Sequence, residues 1–266
     1  MKKIKSFLLE LLNNRQVILR LAVNDFKSKY SNSMFGAVWA YVQPLITILV
    51  FAIVFQLGYK NPPVKGIPFI IWYIPAYICW MFYVDMLSGC TNVLQEYSFL
   101  VKKVKFNVTM LPIIKIVSAF MVHIVFIIFN IVANTIMLHK PTFFYIQGFY
   151  YTFALMLLCL GTGWLFSALS VFFKDMIQIV NIIIQVGFWI SPILWNYEEM
   201  DPIILKFMMI NPMYYIINGY RESFLYDIPF WEHPYQTIYF WILTLVLLVI
   251  GGYIFVRTKS HFADEL

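Results

Sequence analysis

"PTFFYIQGFYYTFALMLLCLGTGWLFSALSVFF", Pro141 to Phe173, runs from Lys140 to Lys174 without one formally charged side chain. About 20 mainly apolar residues suffice for a helix to cross the hydrocarbon core of a bilayer, and this stretch exceeds that. The pattern recurs along the chain. Tyr30 to Tyr59 lies between Lys29 and Lys60, and Gly66 to Val84 between Lys65 and Asp85. Ile116 to His139 follows Lys115, Met176 to Tyr197 follows Asp175, and Pro234 to Val256 ends at Arg257. Six spans are expected, in an all-α polytopic membrane protein. Composition agrees: of 266 residues, 62% are hydrophobic and 12% charged. A soluble domain carries about 25% charge, so lipid must cover this surface.

An even number of crossings puts both termini on one side, and basic residues choose the side. Lys2, Lys3, Lys5, Arg15, Arg20, Lys27 and Lys29 precede the first span. Lys102, Lys103 and Lys105 follow the second, Lys174 follows the fourth, and Arg257 and Lys259 follow the last. Lys115, just inside the third span, is expected to snorkel to the same face. The opposite face holds only Lys60, Lys65, Lys140, Lys206 and Arg221. Both termini are therefore expected in the cytoplasm, with the protein in the cytoplasmic membrane. The net charge of +6 then belongs to orientation and lipid headgroups, not to nucleic acid. One transmembrane domain, 1–266, is expected. Residues 1–29 form its interface region, 30–257 the six-span bundle and 258–266 a cytoplasmic tail.

The start, MKKIKSFLLELLNN, spaces Ile4, Phe7, Leu8, Leu11 and Leu12 as a helical stripe interrupted by Glu10. That predicts an amphipathic helix on the membrane surface, the alternative being an ordinary solvated helix end. Glu198 to His233 is expected outside. Its apolar pieces, Ile203 to Ile210 and Met213 to Ile217, are too short to span, and Pro202, Pro212 and Pro229 interrupt it. Two short helices that dip into the outer leaflet and return fit this pattern, and a surface loop is the other reading.

Catalytic motifs are absent. The sequence has no GxxxxGK[ST], HExxH or GxSxG, and Gly161-Thr162-Gly163 lacks the third glycine of a dinucleotide loop, with Phe166 in its place. Cys79, Cys90 and Cys159 sit in apolar runs, and no Cys/His cluster suggests a metal. Asp85 and His123 lie inside expected spans, where an ionisable group is a candidate for function or for a hydrogen bond between helices. Should Asp85→Asn and His123→Ala leave transport intact, a proton relay is ruled out. Aromatic residues make up 20% of the chain. Trp39, Tyr41, Phe188, Trp189 and Trp195 recur along expected spans, as belt anchors, packing, or stacking surfaces for sugar rings.

Several motifs carry a resemblance. They are Gly36, Trp39 and Pro44 entering the first span; Gly66, Pro68, Phe69 and Trp72 before the second; and Lys174-Asp175 before the fifth. Then come SPILW (Ser191 to Trp195), Asn211-Pro212 with Tyr214, Tyr220-Arg221, and a closing Phe262-Ala263-Asp264 with Leu266. In this order the chain resembles the membrane subunit of type-2 ABC exporters of lipid-linked polysaccharides, the O-antigen, capsule and wall teichoic acid permeases. It departs in having Lys105-Phe106-Asn107 where relatives often have Asn-Phe-Pro, which leaves the start of the third span open.

The resemblance implies a homodimer with two copies of a separate cytoplasmic ATPase. ATP and Mg²⁺ would be bound by that partner and no cofactor by this chain. It implies a coupling helix between Glu96 and Asn107, with Phe99, Leu100, Lys102, Lys103, Val104, Lys105 and Phe106 meeting the ATPase. It implies an exit path through the external helices, where Tyr214, Tyr215, Tyr220 and Arg221 join Trp39, Tyr41, Phe188, Trp189 and Trp195. Arg20, Lys27 and Lys29 would meet the diphosphate of an undecaprenyl-linked glycan. Wall teichoic acid is the favoured polymer, an O-antigen or capsular polysaccharide the alternative, and a small-molecule exporter a third.

Overall fold

The computed structural model describes residues 2–103, 106–138, 142–196 and 200–266, without the side chains of residues 2–6, 8 and 103. Val104 and Lys105 of the expected coupling loop, and the loop acids Glu198 and Glu199, lie outside the described residues. Among the described residues the chain is helical, with a single β-bridge between Val64 and Ile67. Helices α1 (Lys2–Asn13) and α2 (Arg15–Tyr30) precede α3 (Trp39–Ala52), which continues through a π-helical turn to Gly58. Then follow α4 (Phe69–Glu96), α5 (Ser98–Lys103), α6 (Leu111–Leu138), α7 (Gln147–Phe172) and α8 (Met176–Ile190). The short α9 (Pro202–Ile210) and α10 (Pro212–Arg221) lead to α11 (Pro234–Thr258) and α12 (Phe262–Glu265).

Five helical stretches are long and apolar enough to cross a membrane: Gly36–Gly58, Phe69–Glu96, Val108–Leu138, Phe143–Phe172 and Pro234–Thr258. The expected fifth span is shorter than its uncharged run. Its helix, α8, has 15 residues, or about 22 Å. Ser191 ends it in extended backbone (ψ 147°). Both terminal regions nevertheless lie at one end of the bundle. Ile18 and Ala22 of α2 share an apolar cluster with Val93 and Leu94 of α4, Leu111 of α6, Phe255 of α11 and Phe262 of α12.

The hub is α4. Two thirds of its apolar window (67%) is buried, against 11% for Gly36–Gly58, so α3 is a peripheral helix held along one side. Stacked rings hold it to α4: Phe51 on Tyr73 (5.4 Å between centroids) and Phe55 on Phe69 (5.3 Å), with Tyr73 stacked in turn on Tyr77 of α4 itself (5.3 Å). Helix α7 crosses α11 at small residues. A Cβ added at Gly161 would stand 2.7 Å from the Leu248 backbone nitrogen, and Gly251 faces the Gly161 carbonyl. Without a hydrophobic force between helices in lipid, such close backbone approach supplies the packing. The Gly161-Thr162-Gly163 pattern is thus a helix-crossing element.

Local signals explain the remaining boundaries. Lys65 (φ 49°) and Gly66 (φ +79°) form a two-residue left-handed turn closed by 2.9 Å bonds between Val64 and Ile67, which is why a glycine precedes Pro68. The unsettled start of the third span is fixed by Asn107. Its Oδ1 accepts from the Thr109 amide at 3.2 Å, capping the 3₁₀ turn Val108–Met110 that feeds α6. The two short helices start at, rather than break at, their prolines. Asp201 caps α9 through Ile203 N (2.8 Å) and Asn211 caps α10 through Met213 N (3.0 Å), each with proline at the first helical position. Helix α1 turns one side to the bundle. Phe7 meets Trp164 edge-on at 6.0 Å, and Glu10 accepts two 2.9 Å bonds from the Asn107 amide, while Leu9 and Leu12 stay exposed.

Candidate functional site

At the termini end, α2, α3, α4 and α6 enclose a polar cleft, and helical spacing builds it. Asp85, Ser88, Gly89, Asn92 and Glu96 fall on one side of α4, Asp25, Ser28 and Lys29 on one side of α2, and Lys115 and Ser118 on one side of α6. They surround a space of about 390 Å³. A second space of about 330 Å³ continues toward mid-bundle between Trp39, Gln43 and Thr47 of α3, Tyr77 and Met81 of α4, and His123 of α6. Lys29 and Asp85 line both spaces.

Two ionic contacts tie α2 to the bundle here. Lys29 pairs with Asp85. Burial works to lower the Lys29 ammonium's pKa, but the Asp85 carboxylate outweighs it and leaves it above the ordinary lysine range. Lys115 donates to Asp25 at 2.6 Å and also pairs with Glu96, while the Tyr97 hydroxyl donates to the same Asp25 oxygen at 3.0 Å. Burial, then the Asp25 charge, pushes the Tyr97 hydroxyl's pKa up. Lys115 therefore does not snorkel alone, since Asp25 receives it. Lys115→Met is expected to destabilise the protein by about 2 kcal/mol, less than for a fully buried pair because the cleft admits water. Asp25→Asn added to Lys115→Met should recover most of that loss in thermal unfolding.

The short helices α9 and α10 are built differently. Helix α10 is buried throughout, with Tyr214, Tyr215, Tyr220 and Arg221 between 1% and 5% exposed. The Arg221 guanidinium lies 3.3 Å from the Trp72 ring centroid. It donates to the carbonyls of Trp72 (3.2 Å), Pro192 (2.5 Å) and Ile193 (2.8 Å). The Tyr220 hydroxyl bonds His123 Nε2 at 2.8 Å and Thr152 Oγ1 at 2.5 Å. These groups pack inside the chain and fasten α10 to α4, α6 and α7. Beyond them, Glu222 receives His233 at 2.9 Å; burial raises its carboxyl pKa against the pull of His233 and Lys65.

Of the residues singled out in the sequence, the cleft brings together Lys29 and Trp39, with Asp85 and His123. Arg20 and Lys27 are exposed on α2 and line neither space. Tyr41 packs against Phe126 at 6.3 Å. Phe188 and Trp189 of α8 line a neighbouring groove of about 370 Å³ with Tyr77 and Trp80, and Trp195 is exposed beyond α8. In α5, Phe99 is 63% exposed and Lys102 exposed, whereas Leu100 of α5 and Phe106 beyond it pack against the apolar cluster at the termini end. Asp25 and Asn92 went unnoticed in the sequence and Glu96 served only as a loop boundary, although the spacing 85, 88/89, 92, 96 along α4 was the cleft's visible trace.

A family profile described as "ABC-2 type transporter" matches residues 16–225. The chain is 24% identical over 247 residues to "O-antigen export system permease protein RfbA" of Klebsiella pneumoniae, covering 91% of this chain and 92% of that protein. It is 20% identical over 260 residues to the protein of the same name from Myxococcus xanthus, covering 97% and 98%.

Proposed function

Because this chain belongs to the ABC-2 type transporter family, we propose that it is the membrane subunit of an ATP-driven exporter. Its cargo is a lipid-linked cell-surface polymer, moved from the cytoplasmic to the outer face of the cytoplasmic membrane. The carrying observation is similarity to O-antigen export permeases along 91–97% of the chain. In this reading α8 and the turn after it complete a sixth crossing, both termini are cytoplasmic, and two copies of the chain join two copies of an ATPase that binds ATP and Mg²⁺. The polymer favoured by the Gly66-x-Pro68-Phe69-x-x-Trp72 and Asn211-Pro212-x-Tyr214-x-Ile216 patterns is wall teichoic acid. The named relatives favour O-antigen as the second reading. Loss of the gene separates the two: wall phosphate falls in one case, and the surface polysaccharide ladder disappears in the other.

Helix α5 is the coupling element, and its packing refines the test. Phe106 faces the protomer interior, so Phe106→Asp would perturb folding as well as coupling. Phe99→Asp is the cleaner change. It should leave thermal stability within about 0.5 kcal/mol, as expected for a surface substitution. It should also abolish copurification of the ATPase or substrate stimulation of its hydrolysis. Normal copurification and normal export by this variant would refute α5 as the coupling element.

Arg20, Lys27 and Lys29 form the lipid-diphosphate approach, cations on a surface helix being suited to phosphate. Lys27→Glu with Lys29→Glu should weaken substrate-stimulated ATPase activity more than basal activity. Equal loss of both would leave these residues with orientation and packing alone, including the Lys29–Asp85 contact.

A further inference from the structure

We infer that Asp25 is a positioning residue through which movement of α5 reaches α2 and, one turn further along, the Lys29–Asp85 pair that lines both spaces of the cleft. The inference rests on the reading of α5 as the coupling element and adds the residues that pass its displacement into the chain.

Three elements meet at this carboxylate. Asp25 continues the buried stripe of α2 begun by Ile18 and Ala22. Its Oδ1 accepts from Lys115 Nζ of α6 at 2.6 Å and from the Tyr97 hydroxyl at 3.0 Å. Tyr97 is where α4 stops, its backbone leaving helical geometry (ψ 27°), and α5 starts at the next residue. The Lys115 ammonium lies 5.5 Å from the centroid of the same ring. Rotation of α5 about this elbow therefore swings the hydroxyl that Asp25 holds. On the apolar side, Leu100 and Val101 of α5 pack against the cluster that contains Ile18 and Ala22.

Two features make the junction movable. Lys115 also pairs with Glu96, so it keeps a carboxylate when Asp25 shifts away. Asp25 lines the polar space of about 390 Å³, so water can replace a lost partner instead of leaving a dry, unpaired charge. Two arrangements of the same groups, each satisfied, are what lets one element bias another. Helical spacing defines the receiving end. Lys29 follows Asp25 by four residues and lies on the same side of α2. It meets Asp85 where the two spaces adjoin. When Asp25 follows Tyr97, Lys29 leaves Asp85 and the partition between the spaces opens.

Paired spin labels test this in the full chain with its copurified ATPase. One label replaces Asn24, exposed on α2, and the other Met137, exposed near the far end of the 28-residue α6, which is about 42 Å long. The native cysteines are buried and stay unlabelled. Trapping the ATPase with ATP and vanadate is expected to shift the distance between positions 24 and 137 by on the order of 2 Å. Tyr97→Phe removes only the hydroxyl. It should abolish most of that shift, with copurification, basal ATP hydrolysis and melting temperature at their wild-type values. Asp25→Asn gives a second reading should Tyr97→Phe misfold, and the shift should be lost there too. A full shift retained by these variants would overturn the inference. So would a wild-type α2 that stays still while a label at Ser98 of α5 moves against position 137, and the coupling reading would then stand. If neither label moves on trapping, the coupling reading falls and the inference with it.

Discussion

Arg221→Met is expected to lower folding stability by about 3 kcal/mol or more, since each buried carbonyl left without its donor costs about 1–3 kcal/mol. The reason is geometric. One guanidinium stacks on Trp72 and serves three carbonyls, two of them in the Pro192–Ile193 turn that ends α8. Removing it leaves those carbonyls buried without their donor and releases the SPILW turn from α4 and α10. Arg221→Lys should recover little, because an ammonium cannot stack flat and reach all three acceptors at once. Arg20→Met, at an exposed cation of α2, should change stability by less than about 0.5 kcal/mol. Thermal unfolding of the purified variants reads all three. An Arg221→Met protein that melts with the wild type would show that the guanidinium does not fasten this end.

The α7–α11 crossing carries the second large effect. Gly161→Leu should prevent the two helices from closing, at a cost of about 3 kcal/mol or more, because backbone atoms of Leu247 and Leu248 occupy the space and cannot rotate away. The control is the residue next to the crossing partner Gly251, turned away from α7's backbone. A Cβ at Gly252 would meet only the Trp164 ring, at 3.6 Å, an ordinary contact. Gly252→Ala should therefore be close to neutral, and even slightly stabilising through helix propensity. Equal behaviour of Gly161→Leu and Gly252→Ala in size-exclusion profiles would remove the close crossing from the account.

Much of the fold was legible because lipid leaves few options. Uncharged runs such as those between Lys29 and Lys60, Lys115 and Lys140, and Lys140 and Lys174 had to become largely helical, since no water satisfies their backbone groups. The short helices α9 and α10 were legible as short apolar pieces, but their prolines read as interruptions, whereas Asp201-Pro202 and Asn211-Pro212 cap and start them. The length of α8 was not, because composition continues apolar through Ser191-Pro192-Ile193-Leu194 while the Arg221 contacts hold that turn out of the helix.

The site was legible in part. Lys29, Asp85 and His123 stood out as charged or ionisable groups beside or within apolar runs, and Trp39 as part of a motif. Their convergence could not be read, because it depends on α2 folding back against α6 through the distant pair Asp25–Lys115. Arg221 and its neighbouring tyrosines were expected on an exit path only through the family resemblance. Within this chain their side chains are buried, and the carbonyls at the end of α8 and the Trp72 ring receive the Arg221 guanidinium.

The claim on which the account depends is that this chain is a conduit driven by a separate ATPase. The direct measurement is transfer of a fluorescent undecaprenyl-diphosphate glycan across the membrane of sealed vesicles, with this chain reconstituted alone or with its copurified partner. The account predicts transfer only when the partner and ATP are both present, and none from this chain with ATP. Nucleotide-driven transfer, or ATP hydrolysis, by this chain alone would contradict it.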